Sequence, residues 1–418
     1  MTRALRSRSV VTLLLAAGSH AAAQEPYAQR IAEAIPRVEE AVGLPFKTPP
    51  RFAVRSREEL ARILDAMYSD DRAQRTLEAE QRMLRILGVI PDTLDWHALQ
   101  IAILREQVVG FYDPAAKMLF LEDEPDDPTL AIVIPHELVH ALQDQYQDLD
   151  SLERLPGDDD RVMAARAALE GEATLVAFEI ALGLGRDLPG SDEVIRESVE
   201  EDLEESPVLS SAPLFVRRLE VFPYVDGLAF VARLQRVRPG FAPLGADLPV
   251  STAQIIHPSY YDAPRRMPPA ITFAPDSGVD LRYENGFGEL GTRALLEQML
   301  HDRKRAARAS DGWSADRFAL VSTRAGEALV WVTLWDSDAN AREFADAARR
   351  MAARRRPRTA LSREGDVTRA ESAERTITIW IGAIDGHPAV VYADAPAAAP
   401  DPLDRTRIHV RERDAAVP

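Results

Sequence analysis

The stretch VIPHELVHALQDQY, residues 133–146, contains two of the chain's eight histidines, His136 and His140, four residues apart. On an α-helix, residues i and i+4 lie one turn apart on the same face, so both imidazoles can reach one metal ion. Glu137 lies one residue further round and can reach a water bound to that ion. Pro135 precedes the pair, so the helix either begins there or kinks there. The HExxH pattern also arises by chance in roughly one chain in a hundred, so the stretch predicts a metal-binding helix without proving it.

The composition limits the kinds of ligand and partner. The chain has 418 residues, of which 46% are hydrophobic and 28% charged, typical of a globular protein long enough for two domains. It has no cysteine, so a metal site must be built from His, Asp and Glu, and disulfides are excluded. The formal net charge of −17 repels nucleic acid and anionic membrane, so we expect neither as a partner.

The first 23 residues have the layout of a secretory signal peptide. A basic head with three arginines precedes an apolar run over residues 10–17, and small residues follow before Gln24. The run is far shorter than the roughly 20 residues of a spanning helix, which disfavours a membrane anchor. We therefore expect cleavage after Ala23, export to the periplasm or beyond, and no integral membrane segment in the mature chain.

The pattern of helices and strands predicts an α+β fold in two domains, residues 24–275 and 281–395. In the first domain, "VVGFYDPAAKMLFL" (108–121) reads as a β-hairpin around an Asp-Pro turn, directly upstream of the HELVH helix. The second domain alternates helices with strand-like runs and offers no residues with evident chemistry. Residues 396–418, rich in Ala, Pro and Asp at first, are predicted to form a disordered tail.

A catalytic zinc site needs a third protein ligand. The segment ALEGEATLVAFE (168–179) offers two carboxylates, Glu170 and Glu172, in a largely apolar helical setting where an unpaired carboxylate is costly. Two residues on a helix lie about 200° apart, so only one of the two can face the ion. Either glutamate can be that ligand; the other then supports the site from behind or faces solvent.

HELVH followed by an EG-x-A segment resembles the gluzincin metallopeptidases, over about residues 100–185. In several gluzincin families the glutamate of an NEG-x-A segment is the third zinc ligand. The resemblance implies a zincin-like domain in which His136, His140 and Glu170 hold Zn²⁺, with a peptide or protein as substrate. The 29 residues between His140 and Glu170 exceed the spacing of the best-known gluzincins, and Leu169 replaces the Asn. The exact family therefore stays open.

The resemblance also implies roles for residues outside the ligand set. Glu137 would take a proton from the zinc-bound water and hand it to the leaving amine. The hairpin would supply an edge strand to which an extended substrate adds. His257, in STAQIIHPSYY, would stabilise the oxyanion of the tetrahedral intermediate, with a purely structural histidine as the alternative. Asp144 could hold the second ring N–H of His140, although a solvated helix face explains an aspartate there nearly as well.

Together these observations lead us to expect an exported zinc metallopeptidase with a C-terminal α+β accessory domain. One alternative keeps the zinc and omits the hydrolysis: a binding or scaffold protein on an inactive zincin fold. In a second alternative HELVH is fortuitous and the protein binds no metal.

Overall fold

The computed structural model describes residues 8–67, 71–107, 109–124, 126, 128–183, 190–274, 279–399 and 405–413, and of residues 8–23 it describes only the backbone. The predicted signal peptide therefore falls partly outside the described residues. From Arg8 a helix runs through Ala23 and on to Val42. Within these ranges, none of the helices combines the length and the hydropathy that a membrane-spanning segment needs.

The N-terminal part is mostly helical. Its elements are α1 (Arg8–Val42), β1 (Phe52–Arg55), α2 (Arg57–Met67), α3 (Asp71–Leu87), α4 (Trp96–Gln107), β2 (Gly110–Asp113), β3 (Met118–Glu122), α5 (Leu130–Tyr146), α6 (Leu149–Glu153), α7 (Asp159–Leu182), α8 (Ser191–Glu205), α9 (Pro207–Ser211), α10 (Leu214–Val237), α11 (Thr252–Ile256) and α12 (Pro258–Tyr261). The remainder contains most of the strands: β4 (Ala270–Phe273), β5 (Asp280–Asn285), α13 (Gly288–Leu300), α14 (Arg303–Ser310), β6 (Trp313–Thr323), β7 (Gly326–Trp335), α15 (Asp338–Arg355), β8 (Leu361–Glu364), β9 (Val367–Glu371), β10 (Arg375–Ile384), β11 (His387–Pro396) and β12 (Ile408–Arg411). The expected mixture of helix and sheet is confirmed.

The predicted hairpin is formed by β2 and β3. Its turn is fixed by Asp113, whose side chain accepts hydrogen bonds from the backbone N–H groups of Ala115 and Ala116. Strand β1 pairs in parallel with the other side of β3, which gives a three-stranded sheet of order β1-β3-β2. Strand β2 therefore lies at an edge of this sheet. The inner strand buries Leu119 and Leu121 in a core that it shares with α1, α5 and α7.

Helix α5 carries the HELVH residues. It begins at Leu130, five residues before Pro135, so of the two alternatives the structure excludes a helix start at the proline and places the proline inside the helix. The proline is itself buried and removes one N–H from the helix, which continues for eleven residues beyond it. Ile134, Leu138 and Leu142 anchor the helix in the same core as the hairpin. This apolar face leaves the two histidines on the side turned towards α7.

Helices α7 and α10 approach each other unusually closely. A Cβ atom on Gly171 would overlap the backbone of Gly227, and a Cβ on Gly227 would overlap the carbonyl of Ala167. Glycine at both positions removes the two side chains that would keep the helices apart. Helix α7 is thereby held between α5 on one side and α10 on the other.

The C-terminal part is built on a seven-stranded antiparallel sheet of order β5-β6-β7-β11-β10-β9-β8. One face packs against α13 and α15 in a core that also contains residues of α3, α4, α9 and α10. The other face packs against the two-stranded β4–β12 ribbon through Ile271 and Ile408. The core is thus continuous across the predicted boundary between the domains.

The segment predicted as a disordered tail differs from that prediction. Strand β12 pairs with β4, with Ile408 opposite Phe273, and Ile408 is only 2% exposed. Alternating Ile408 and Val410 give the strand an apolar face, which the sheet covers. The prediction is therefore wrong for residues 405–411.

Candidate metal centre

Helices α5 and α7 bring His136, His140 and Glu170 together at one point. The Nε2 atoms of the two histidines are 3.1 Å apart, and Glu170 Oε2 lies 3.2 Å from His136 Nε2 and 3.3 Å from His140 Nε2. Tetrahedral ligands at zinc-to-ligand distances of about 2.0–2.1 Å would be about 3.3–3.4 Å apart. Among the described residues these three form the only cluster of ligand atoms suited to a metal ion.

The charges at this cluster stabilise positive charge on the imidazoles. Burial lowers the pKa of His140, but the Glu170 carboxylate outweighs it and raises that pKa to about 9. Burial likewise opposes ionisation of Glu170, yet His140 and His136 hold the pKa of this carboxyl well below its usual value. The three side chains are between 14% and 17% exposed, so they can be reached from solvent. Two imidazoles and one carboxylate suit Zn²⁺ and related divalent transition metals.

Glu137 lies beside the cluster without joining it. Its Oε2 accepts a hydrogen bond of 2.7 Å from the backbone N–H of Tyr112 on β2. Burial raises the pKa of the Glu137 carboxyl, which favours proton uptake. The geometry leaves Oε1 for a second partner, as the predicted role in proton transfer requires.

The second ring nitrogen of His140 has a different partner from the one expected. Its Nδ1 lies 2.9 Å from Gln143 Oε1. Asp144 instead accepts hydrogen bonds from the Tyr112 hydroxyl at 2.6 Å and from Lys117 Nζ at 2.8 Å. The role predicted for Asp144 is therefore wrong. The sequence did contain a signal for the contact with Gln143. This residue lies three positions after His140, and residues three apart lie on the same face of a helix.

The two glutamates of α7 have separate positions. Glu170 faces the histidines, whereas Glu172 is completely buried on the other side of Gln143. Gln143 Nε2 donates to Glu172 Oε2 at 2.9 Å and to the carbonyl of Leu169 at 3.1 Å. Glu172 therefore lies behind the three candidate ligands. This is one of the two positions that the sequence analysis allowed for the second glutamate.

Sequence reasoning missed a polar group beside Glu170. Arg166, one turn earlier on α7, lies 3.9 Å from Glu170 Oε1 and 3.9 Å from Glu220 Oε2 of α10. Its guanidinium also bonds the hydroxyl of Tyr224. No motif marked these residues, because their proximity depends on how α10 packs against α7.

His257 is not part of the candidate metal centre. Its Nε2 lies 2.8 Å from Oε1 of the fully buried Glu289 on α13, which Arg293 also contacts at 3.0 Å. Its ring packs against Tyr260. This hydrogen-bonded setting accounts for the histidine structurally, and a catalytic role for it stays a prediction.

Comparison with known proteins gives two results. A family described as a domain of unknown function (DUF8575) matches residues 279–401. This range is less than half of the chain and does not include the candidate metal ligands. A solved structure, that of a candidate hydrolase with a novel fold from Chloroflexus aurantiacus, is 21% identical with a TM-score of 0.37, covering 58% of this chain and 89% of that one. No curated protein matches the chain.

Proposed function

We propose that the protein is an exported zinc metallopeptidase whose zincin-like part holds Zn²⁺ through His136, His140 and Glu170, with Glu137 as general base. The observation that carries the proposal is the convergence of these four side chains. Three ligand atoms lie 3.1–3.3 Å apart, and a buried carboxylate from the same helix stands beside them. Two histidines and one glutamate leave a further coordination position for water, as in catalytic zinc sites.

The chemistry follows from what each residue can do. Zinc, when bound, polarises a carbonyl group and lowers the pKa of a bound water to about 7. Glu137 takes the proton of the attacking water and then donates it to the leaving amine, which needs a carboxyl that holds a proton near neutral pH. The burial that raises its pKa supports this role. The hydrogen bond from Tyr112 keeps the carboxylate in one orientation throughout.

Strand β2 offers a means of binding an extended peptide. It is the edge of the three-stranded sheet and contacts Glu137 through its own backbone. A substrate strand paired to this edge would be held through main-chain hydrogen bonds, with little demand on its sequence. Its scissile bond would lie close to the general base. This supports a peptide or protein substrate.

The test combines metal content with hydrolysis. Purified wild type, with metal added back after chelation, is expected to bind about one zinc per chain and to cleave members of a peptide library. Glu137→Gln is expected to keep the zinc and lose cleavage. The matched control is Glu58→Gln, the same exchange at an exposed residue of α2. Absence of zinc in the wild type would refute the proposal. Zinc binding without cleavage in wild type would instead favour the non-proteolytic binding protein.

Export is the part of the proposal that rests on the N-terminal pattern alone. Residues 1–23 combine a basic head, an apolar run and a small-residue site before Gln24. Mass spectrometry of the chain recovered outside the cytoplasm is expected to find Gln24 as its first residue. An uncleaved chain that stays in the cytoplasm would contradict export and leave the metal site untouched.

A further inference from the structure

A chain of hydrogen bonds runs from a buried carboxylate to one of the candidate metal ligands. Glu172 Oε2 accepts from Gln143 Nε2 over 2.9 Å, and Gln143 Oε1 lies 2.9 Å from His140 Nδ1. Both Glu172 and Gln143 are fully buried, on α7 and α5 respectively. Neither residue touches the ligand atoms themselves.

The acceptors around Gln143 determine which way its amide points. Glu172 Oε2 and the Leu169 carbonyl are both acceptors, so the group facing them must be the NH₂. The amide oxygen therefore faces His140. Because an amide oxygen only accepts, His140 Nδ1 must carry the hydrogen of that bond. The Nε2 atom of the neutral ring then presents its lone pair to the cluster.

We propose that Glu172 and Gln143 are positioning residues that set the tautomer of His140, so that in the neutral ring the lone pair lies on Nε2, towards the candidate metal position. The inference rests on the proposed metal site. Glu172 acts as a hydrogen-bond acceptor: together with the Leu169 carbonyl, its Oε2 keeps the NH₂ of Gln143 turned away from His140. A glutamine of the same size would offer both a donor and an acceptor.

The proposal predicts that an isosteric substitution, Glu172→Gln, weakens zinc binding. In Glu172→Gln, the new amide can donate to Gln143 Oε1, so a fraction of the molecules can turn the Gln143 amide over, at the cost of its bond to the Leu169 carbonyl, and present its NH₂ to His140 Nδ1. The histidine would then carry its hydrogen on Nε2, directed at the metal position. Loss of such a supporting group typically weakens metal binding about 10- to 100-fold.

A reciprocal exchange separates this mechanism from simple damage to the core. In Gln143→Glu, two carboxylates face each other in a buried position, so zinc binding is expected to weaken too. In the double variant Gln143→Glu with Glu172→Gln, residue 143 accepts from His140 and residue 172 donates to residue 143. The hydrogen bond from His140 Nδ1 to residue 143 keeps its direction, the bond between residues 143 and 172 is reversed, and the bond to the Leu169 carbonyl is lost. The double variant is therefore expected to bind zinc more tightly than either single variant.

The experiment measures zinc dissociation constants by competition with a fluorescent chelator. It compares wild type with both single variants, the double variant and the same-helix control Glu179→Gln. Thermal unfolding of each metal-free protein is measured alongside. We expect Glu172→Gln to bind zinc about 10- to 100-fold more weakly, with its metal-free unfolding temperature not lowered. The control is expected to match wild type.

The outcomes separate the two proposals. Wild type that takes up no zinc would refute the metal site itself. Wild type that binds zinc, with Glu172→Gln binding equally well, would overturn the positioning role alone. A double variant weaker than both single variants would also overturn it, because in the double variant residue 172 again pairs with residue 143 while residue 143 still accepts from His140 Nδ1.

Discussion

The backbone N–H of Tyr112 donates a 2.7 Å hydrogen bond to Glu137 Oε2, so the edge strand β2 and the proposed general base meet directly. Oε2 of the Glu137 carboxylate accepts this hydrogen bond, and Oε1 can exchange a proton in the proposed reaction. A peptide paired to β2 would consequently be aligned with the residue that acts on it.

Shortening the general base should separate zinc binding from catalysis. Glu137→Asp keeps the charge but withdraws the carboxylate by about one methylene, which also breaks the bond to Tyr112. A misplacement of about 1 Å is expected to lower kcat about 100-fold. Steady-state kinetics with a cleaved peptide measures this, with zinc content determined on the same samples. Unchanged kcat would contradict the role of Glu137.

The third ligand can be tested by a change that preserves its shape. Glu170→Gln replaces the carboxylate that faces both histidines with a neutral amide. We expect zinc content to fall well below one per chain, because a ligand and a balancing charge are both lost. Glu179→Gln, on the same helix, is expected to retain its zinc. Full occupancy in Glu170→Gln would exclude this residue as a ligand.

The close approach of α7 and α10 predicts that one methyl group added at Gly227 destabilises the protein. Gly227→Ala places a Cβ against the carbonyl of Ala167. Overpacking is expected to lower the free energy of unfolding by about 1–3 kcal/mol, despite the better helix propensity of alanine. Urea unfolding measures the change. Gly291→Ala is the milder control, because its Cβ would meet only the side chain of Phe287 at 3.0 Å.

Stability is expected to depend on pH through Asp160. Burial raises the pKa of this carboxyl from 3.8 to about 7. Between these values the folded protein binds more protons than the unfolded chain, so the free energy of unfolding falls as pH rises from about 4 to 7. Asp160→Asn keeps an acceptor for Thr252 but cannot ionise.

The asparagine variant should therefore gain stability relative to wild type as the pH rises. We expect the difference between the two proteins to change by on the order of 2 kcal/mol between pH 5 and pH 8. Urea unfolding at both values measures it. A difference that stays constant with pH would show that Asp160 ionises normally in the folded protein.

The local parts of the site could be predicted from the sequence, because they depend on helix periodicity. His136 and His140 are one turn apart on any α-helix, and the structure has them on one. The supporting residue was misassigned by one position: both Gln143 and Asp144 lie about one turn from His140. Which of them bonds the ring depends on α7, whose Glu172 and Leu169 hold the Gln143 amide.

The remaining differences arise from contacts between distant parts of the chain. Strand β12 is too short to be recognised alone and exists through its pairing with β4, over 130 residues earlier in sequence. Arg166 meets Glu220 and Tyr224 only because two glycines let α10 approach α7. Neither contact can be predicted from composition or periodicity, because each depends on how whole elements pack against one another.

The continuous core has a consequence for how the chain can be divided. Gln298 of α13 donates to the carbonyl of Val89 at 2.6 Å, and Tyr283 of β5 donates to Glu80 at 3.3 Å. Residues 279–401, which the family match delimits, are therefore smaller than the unit that folds. Expressed by itself, this segment would present to water the apolar face that α3 and α4 cover. A stable fragment that contains the family match would therefore have to include α3 and α4 as well.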